Sequence, residues 1–163
     1  NKAAAANKQR SKSGIVVKGL YDMAVHFSKC CSPVPGDEII GFVTRGRGVS
    51  IHRTDCVNML NLTDAERVRL IEAEWQAGAD EELGEYYTEI KIFCNDKPGI
   101  LVDVSRVFAE RDINILGIHS RSSKQGVATI EVSFNTKGRQ QIRSLVERLR
   151  QIDNVIEIQR TTG

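Results

Sequence analysis

The chain has no long hydrophobic run and few cysteines. No stretch approaches the roughly 20 apolar residues that span a bilayer, and the start, NKAAAANKQRSKSG, lacks the apolar region of a signal peptide. Four cysteines in 163 residues, two of them adjacent, do not form the pattern of a secreted disulfide framework. These absences predict a cytoplasmic protein without membrane contact, in which reduced thiols have a specific task.

Composition and charge predict two small domains. Apolar residues make up 40% and charged residues 27%, as in ordinary globular proteins. The acidic run AGADEELGE (77–85) has two glycines and no apolar period, so it is predicted to be a linker between domains at 15–76 and 86–161. The chain opens on Asn1 with a polar lead (1–14), which predicts a flexible segment in a fragment of a larger protein.

The second half of the sequence has periodic apolar positions that predict an alternation of strands and helices. A strand is predicted where apolar positions alternate, at Tyr86, Thr88, Ile90, Ile92 and Cys94. Two helical faces follow, one beginning near Pro98 with Ile100, Leu101, Val104, Val107 and Phe108, the other with Ile142, Leu145, Val146, Leu149 and Ile152. Two strands flank KQG, and VIEIQR closes the chain. The order β-α-β-β-α-β predicts a ferredoxin-like fold in an α+β protein.

The turn NDKPGIL with the later RDINI resembles the signature of ACT domains, which are small regulatory modules. Many of that family bind an amino acid where the first strand meets the first helix. A helix N-terminus there offers unpaired N–H groups, and a carboxylate can take an ammonium group. The candidate amino-acid-binding residues are Asp96, Gly99, Ile100, Leu101, Asn114 and Ile115. The alternative is that Asp96 caps the helix and Pro98-Gly99 only makes the turn.

Three of the four cysteines and two of the three histidines lie in one block, HFSKCCSPVPGDEIIGFVTRGRGVSIHRTDC (26–56). The spacing allows a zinc site of three cysteines and one histidine: Cys30, Cys31, His52 and Cys56. Because neighbouring residues of a strand face opposite ways, Cys30 and Cys31 must lie in a turn. Two alternatives stay open: cysteines packed in a core, and a Cys-His nucleophile oriented by Asp55.

The first domain is predicted to be rich in β structure. Strands are predicted at GIVVKGL, at 39–44, at 49–52 and within 67–75, with a tight turn over Arg45 to Gly48. Its basic residues suggest a surface for structured RNA: Lys29, Arg45, Arg47 and Arg53. Only Phe27 and Phe42 lie near for stacking, so contact with the RNA backbone is expected; a solvated basic face is the alternative. Gly46-Arg47-Gly48 lacks the spacing of a phosphate-binding loop, which predicts no nucleotide cofactor.

The cysteine block followed by an ACT-like module resembles the C-terminal regulatory end of long RelA/SpoT-type enzymes, which make and hydrolyse (p)ppGpp. There the first domain is called the zinc-finger, conserved-cysteine or ribosome-intersubunit domain. The resemblance implies contact with ribosomal RNA beside the acceptor-site tRNA, control of upstream synthetase and hydrolase domains, and no catalysis in this fragment. A homodimer through the ACT-like module is a further expectation. The alternatives are an amino-acid-binding regulatory dimer of another metabolic enzyme and a thiol enzyme.

Overall fold

The computed structural model of the protein describes residues 11–79 and 84–161. Residues 11–79 contain β1 (Ile15–Val17), β2 (Val25–Phe27), β3 (Ile39–Val43), β4 (Val49–Arg53), α1 (Val57–Leu60), α2 (Asp64–Arg67), β5 (Leu70–Ile71) and β6 (Ala73–Trp75). Residues 84–161 contain β7 (Tyr86–Asn95), α3 (Ile100–Glu110), β8 (Ile115–Ser122), β9 (Val127–Thr136), α4 (Arg139–Arg150) and β10 (Val155–Arg160). In the described ranges no helix is long and apolar enough to cross a membrane.

The second domain has the predicted ferredoxin-like fold. Its antiparallel sheet has the strand order β10-β7-β9-β8. Every second residue of β7 and of β9 is buried, so the core lies on one face of the sheet, beneath α3 and α4. The rings of Phe108 and Phe134 meet edge to face there, with centroids 5.2 Å apart. The α+β class and the alternation over Tyr86 to Cys94 are confirmed.

Three details of the helices differ from the sequence predictions. Helix α3 begins at Ile100, after Gly99 with φ 85°, so Pro98 precedes the helix rather than lying in its first turn. Leu101 is 41% exposed, because one residue turns the helix by about 100° and carries it away from the buried face of Ile100. In α4 the buried residues are Ile142, Leu145 and Leu149, while Val146 is only partly buried. Ile152, also partly buried, lies beyond the end of the helix at Arg150.

The first domain is built around a four-stranded sheet in the order β2-β4-β3-β5. The predicted hairpin is present as β3 and β4, within one residue of its expected ends. A Cβ atom on Gly48 would lie 2.2 Å from the Ala24 carbonyl oxygen, so only glycine fits beside β2 at this turn. Strand β2, which pairs in parallel with β4, was not predicted, because three residues are too few to show alternation.

The predicted strand over residues 67–75 is wrong in its first part and divided in the rest. Thr63 and Glu66 form a capping box, in which each side chain accepts a hydrogen bond from the other's backbone, so Arg67 is helical. Glu72 then separates β5, which pairs with β3, from β6, which pairs with β1 in a separate two-stranded sheet.

The two domains pack against each other through residues 32–37, which lie within the first domain and are here called the interdomain loop. The side chain of Val34 is fully buried among the core residues of the second domain. The backbone N–H of Arg139, at the start of α4, donates to the Pro35 carbonyl at 2.7 Å. Arg160 of β10 donates to both carboxylate oxygens of Asp37, at 2.7 and 2.9 Å, and to the Ser32 carbonyl at 3.1 Å. The loop therefore belongs to the first domain in sequence and to the second in packing.

An aromatic cluster forms a second contact between the domains. Phe27 stacks on Trp75 at a centroid distance of 5.7 Å, and both rings meet Tyr86 of β7 edge to face. The indole N–H of Trp75 donates to the Asp37 carbonyl at 3.1 Å, which ties the cluster to the interdomain loop.

The predicted lead and linker lie partly outside the described residues, at 1–10 and 80–83. Of the lead, Ser11 is buried, and its backbone N–H donates to the Gln76 side chain at 2.6 Å. Of the linker, Ala79 is buried, whereas Gly84 and Glu85 are exposed. The domain boundaries remain predictions.

We predict that Arg160→Leu lowers the free energy of unfolding by about 3 kcal/mol, because it leaves the Asp37 carboxylate, 5% exposed, without its ion-pair partner. Arg106→Leu is the matched control, since Arg106 and Asp103 form an exposed pair that contributes less than about 1 kcal/mol. Urea unfolding followed by the fluorescence of Trp75, the single tryptophan, measures both. Equal losses in the two variants would contradict a stabilising role for the buried pair.

Candidate metal centre

A turn after β2 brings the two adjacent cysteines to one site. Strand β2 ends at Phe27, and residues 29–31 form a turn closed by the Ser32 N–H, which donates to the Ser28 carbonyl at 3.0 Å. Because Cys30 and Cys31 lie outside a strand, their side chains can point to the same place, as the sequence required. Ser32 has φ 46°, a left-handed conformation that non-glycine residues rarely adopt.

His52 and Cys56 complete the cluster from the neighbouring elements. His52 lies in β4, the strand between β2 and β3, and Cys56 is the residue that precedes α1. The ligand atoms of Cys30, Cys31, His52 and Cys56 all lie within 4.8 Å of one another. The structure thus brings together the four residues that spacing alone suggested. The other cysteine and the other two histidines of the chain lie apart: His26 is exposed on β2, His119 is exposed on β8, and Cys94 is buried in the core of the second domain.

The distances in this cluster suit a tetrahedral metal ion. Zinc–sulfur bonds of about 2.3 Å place two ligand sulfurs about 3.8 Å apart. The Sγ of Cys30 lies 3.9 Å from that of Cys31 and 3.4 Å from that of Cys56. The Nδ1 atom of His52 lies 3.4 Å from Cys30 Sγ and 3.9 Å from Cys31 Sγ. Three sulfurs and one nitrogen at these separations are a donor set that zinc accepts.

Neighbouring groups orient the donors. The other ring nitrogen of His52, Nε2, is hydrogen-bonded to Ser28 Oγ at 2.8 Å and to Ser50 Oγ at 3.1 Å. These bonds engage Nε2 and leave Nδ1 facing the sulfurs, as in metal sites whose histidine is held by its second nitrogen. The backbone N–H of Arg53 donates to Cys31 Sγ at 3.3 Å, which favours a charged sulfur. Sequence reasoning missed both serines, since a serine has no spacing that marks such a role.

The thiols differ in acidity. Burial raises the pKa of Cys31 and of Cys56, because a charged thiolate loses its hydration there. Burial also opposes ionisation of Cys30, but hydrogen bonds from Asn58 and the neighbouring thiols outweigh it and lower its pKa. Burial lowers the pKa of His52, with a repulsion from His26 as a smaller cause, which favours the neutral imidazole. A neutral imidazole is the form that binds a metal.

The arrangement does not support the alternative of a Cys-His nucleophile. Asp55, the expected orienting group, pairs with Arg53 at 2.6 Å, while His52 Nε2 is hydrogen-bonded to the two serines. Two more thiols surround the same imidazole, one of them fully buried. Four donors at these separations could hold one metal ion.

The basic residues divide into two groups. Lys29, Arg45 and Arg47 are exposed. Arg53 is not: its side chain is 10% exposed, pairs with Asp55 and lies 3.4 Å from the carbonyl of Thr161. The prediction that Arg53 forms part of an RNA-binding surface is therefore wrong, because every residue of β4 is buried.

The two aromatic residues near the basic residues, Phe27 and Phe42, are also engaged within the protein. Phe27 packs in the interdomain aromatic cluster, and Arg69 lies over the ring of Phe42 at 4.6 Å. Neither ring is a free platform for a base. The exposed cations that remain suit contact with a phosphate backbone.

The predicted amino-acid-binding residues lie where β7 meets α3, and their exposure varies. Gly99 precedes the helix, and its side-chain position faces open space. Asp96 and Asn114 are exposed, Ile115 is half-buried and Ile100 is buried. The N-cap residue of α3 is Gly99, and among the described residues no hydrogen bond from the Asp96 side chain to this helix is seen, so the alternative role of Asp96 as a cap gains no support. Binding of an amino acid at this junction stays a prediction.

Comparison with known proteins gives two family matches. The RelA/SpoT RIS domain model matches residues 15–76, and the ACT domain model matches residues 82–160. The GTP pyrophosphokinase of Escherichia coli K12 is 35% identical over 158 residues, which are 96% of this chain and 21% of that protein. That of Streptomyces coelicolor is 38% identical over 150 residues, which are 92% of this chain and 17% of that protein. The chain spans about a fifth of the length of these relatives.

A solved structure is similar to the second domain. The alignment with the crystal structure of the ACT domain from the GTP pyrophosphokinase of Chlorobium tepidum covers 47% of the present chain and 99% of the crystallised chain. The sequences are 25% identical, and the TM-score is 0.43.

Proposed function

Since the chain belongs to the RelA/SpoT family, with a RIS domain followed by an ACT domain, we propose that it is a regulatory region that docks on ribosomal RNA. In this proposal it acts in the cytoplasm, beside the acceptor-site tRNA, and catalysis belongs to domains elsewhere in a GTP pyrophosphokinase. The docked state controls those domains by favouring one of their conformations, which requires different affinities of the ribosome for the two conformations.

The observation that carries the RNA proposal is the exposed basic turn between β3 and β4. Arg45 and Arg47 lie on it, fully available to a partner, and the described residues place no carboxylate in an ion pair with either. Gly46 and Gly48, with φ 85° and 71°, keep the turn tight. Two cations on a narrow projection can follow the phosphates of a structured RNA without reading its bases.

We predict that Arg45→Glu with Arg47→Glu weakens ribosome binding. The slope of log affinity against log salt concentration should become less steep by about 1 to 2, because a protein that contacts fewer phosphates releases fewer counterions when it binds. Arg143→Glu with Arg150→Glu is the control with the same change of charge, on exposed positions of α4. Sedimentation with ribosomes at several salt concentrations measures both. An equal loss in the two variants would mean that only net charge matters.

The metal in the cluster is proposed to be structural zinc. The support is the donor set of three sulfurs and one imidazole nitrogen within 4.8 Å, with Nε2 of His52 engaged by serines. When bound, zinc would hold β2, β4 and the start of α1 at one point. In a domain whose strands have five residues or fewer, such a link adds stability that a small core lacks.

We predict one zinc per chain by elemental analysis of the purified protein, and loss of it in Cys56→Ala, because three ligands hold the ion far less tightly than four. Cys94→Ala is the control: it removes a buried thiol outside the cluster and should retain the metal. A chain purified without added chelator that carries no metal would refute the assignment, as would an equal loss in both variants.

A further inference from the structure

The metal centre contains three thiols that lie within reach of one another. The Sγ of Cys30 is 3.4 Å from that of Cys56 and 3.9 Å from that of Cys31. Of these three residues only Cys30 is not buried, since Cys31 and Cys56 are 1% and 0% exposed. A small oxidant dissolved in water therefore meets Cys30 first. An accessible thiolate with a second cysteine beside it is the arrangement that oxidants convert to a disulfide.

Cys56 is the residue that can close a disulfide with Cys30. The Cα atoms of a disulfide are usually about 4.4–6.8 Å apart, whereas adjacent residues across a trans peptide bond have Cα atoms about 3.8 Å apart, so a bond between Cys30 and Cys31 would be strained. Cys31 is also held in place, because its Sγ accepts a hydrogen bond from the Arg53 N–H. Cys30 lies in the turn after β2, and Cys56 precedes α1, so neither belongs to a strand. Their sulfurs can approach each other without breaking a strand pairing.

We propose that the metal centre is a redox switch, in which hydrogen peroxide joins Cys30 to Cys56 and the ion is released. The Cys30 thiolate attacks one oxygen of the peroxide, so an S–O bond forms, the O–O bond breaks and hydroxide leaves. The Cys56 thiolate then attacks the sulfur of this sulfenic acid, so the S–S bond forms, the S–O bond breaks and a second hydroxide leaves. The two thiolates lose two electrons, and the peroxide gains them.

Oxidation removes two of the four donors at once. Cys31 and His52 remain, and two ligands are too few for a structural zinc site, which uses four. Release of the ion rests on the structural zinc proposed above, whereas the disulfide needs only the two thiols. A low-molecular-weight thiol reverses the step by thiol–disulfide exchange. Disulfides in a reducing compartment are usually transient and redox-sensing, which favours a switch over a permanent link.

The turn that carries Cys30 leads directly into the interdomain loop, which gives the switch an output. Cys30 lies two residues before Ser32, whose carbonyl accepts a hydrogen bond from Arg160 of the ACT domain. At the other end of the loop, the Asp37 carbonyl accepts a hydrogen bond from the indole N–H of Trp75. A turn that loses its metal and is drawn into a disulfide displaces the start of this loop. Oxidation thereby loosens the packing of the two domains, and Trp75 reports it.

The test is treatment of the purified chain with hydrogen peroxide. We expect release of about one zinc ion per chain, measured with a colorimetric chelator. Mass spectrometry of the digested protein should find a disulfide between Cys30 and Cys56, with Cys94 still reduced. The melting temperature should fall, because a structural zinc site contributes more to stability than a disulfide, and Trp75 emission should shift to longer wavelength. Dithiothreitol with added zinc should restore both signals.

Several results would overturn the switch. One is a chain that keeps its zinc and its free thiols after peroxide treatment, and another is a disulfide between Cys30 and Cys31 or between two chains. Zinc release with unchanged Trp75 emission would refute the link to domain packing. A chain purified without metal would refute the zinc assignment, and the mapped disulfide would then decide on the thiol pair alone.

Two matched variants separate the redox pair from metal binding. Cys31→Ser and Cys56→Ser each remove one buried donor of the same cluster, so both should lose the metal to a similar extent. Only Cys31→Ser should still form the disulfide under peroxide. In Cys56→Ser the oxidised Cys30 has no partner thiol that it can reach without strain, so it should be trapped as sulfenic acid by dimedone. A disulfide in both variants, or in neither, would contradict the assignment of Cys56 as the partner of Cys30.

Discussion

The ion pair between Asp37 and Arg160 is the interaction on which the arrangement of this region depends. Its side chains are 5% and 15% exposed, and the two partners lie 123 residues apart in sequence. A buried pair adds little net stability compared with apolar residues of the same size, but breaking it by removing one partner costs about 3–5 kcal/mol. The pair therefore acts mainly through specificity: one relative position of the domains satisfies both charges, and other positions leave a charge buried alone.

The ion pair connects the turn of the metal centre to the second domain. The turn that presents Cys30 and Cys31 ends at Ser32, where the interdomain loop begins, and the Ser32 carbonyl accepts a hydrogen bond from Arg160. A structural zinc site is worth about 10–16 kcal/mol, several times the contribution of the ion pair. A metal held by the cluster would thus set the shape of the turn, and the loop would follow it. The same loop carries Val34, whose side chain is fully buried in the core of the second domain.

The sequence was most informative where a pattern is local. Alternation along β7 and the apolar faces of α3 and α4 predicted the ferredoxin-like fold, and the unusual density of thiols and imidazoles predicted the four clustered donors. The prediction for Arg53 was wrong because β4 is covered on both faces, which alternation in a five-residue strand does not show. The partnership of Asp37 with Arg160 could not be predicted, since each is one of many charged residues and only the packed domains bring them together.

Ser32 lies where the metal turn meets the interdomain loop, and its conformation is energetically unfavourable. A left-handed residue with a side chain costs about 1–2 kcal/mol, and a buried hydroxyl without a partner costs about 1–3 kcal/mol more. Both unfavourable terms fall on one residue between the metal turn and the interdomain loop. They are offset by the bonds around it: the turn closed on Ser28, and Arg160 held by both Asp37 and the Ser32 carbonyl. Because these bonds come from the metal turn on one side and from the second domain on the other, the unfavourable conformation of Ser32 is kept only while both are packed against it.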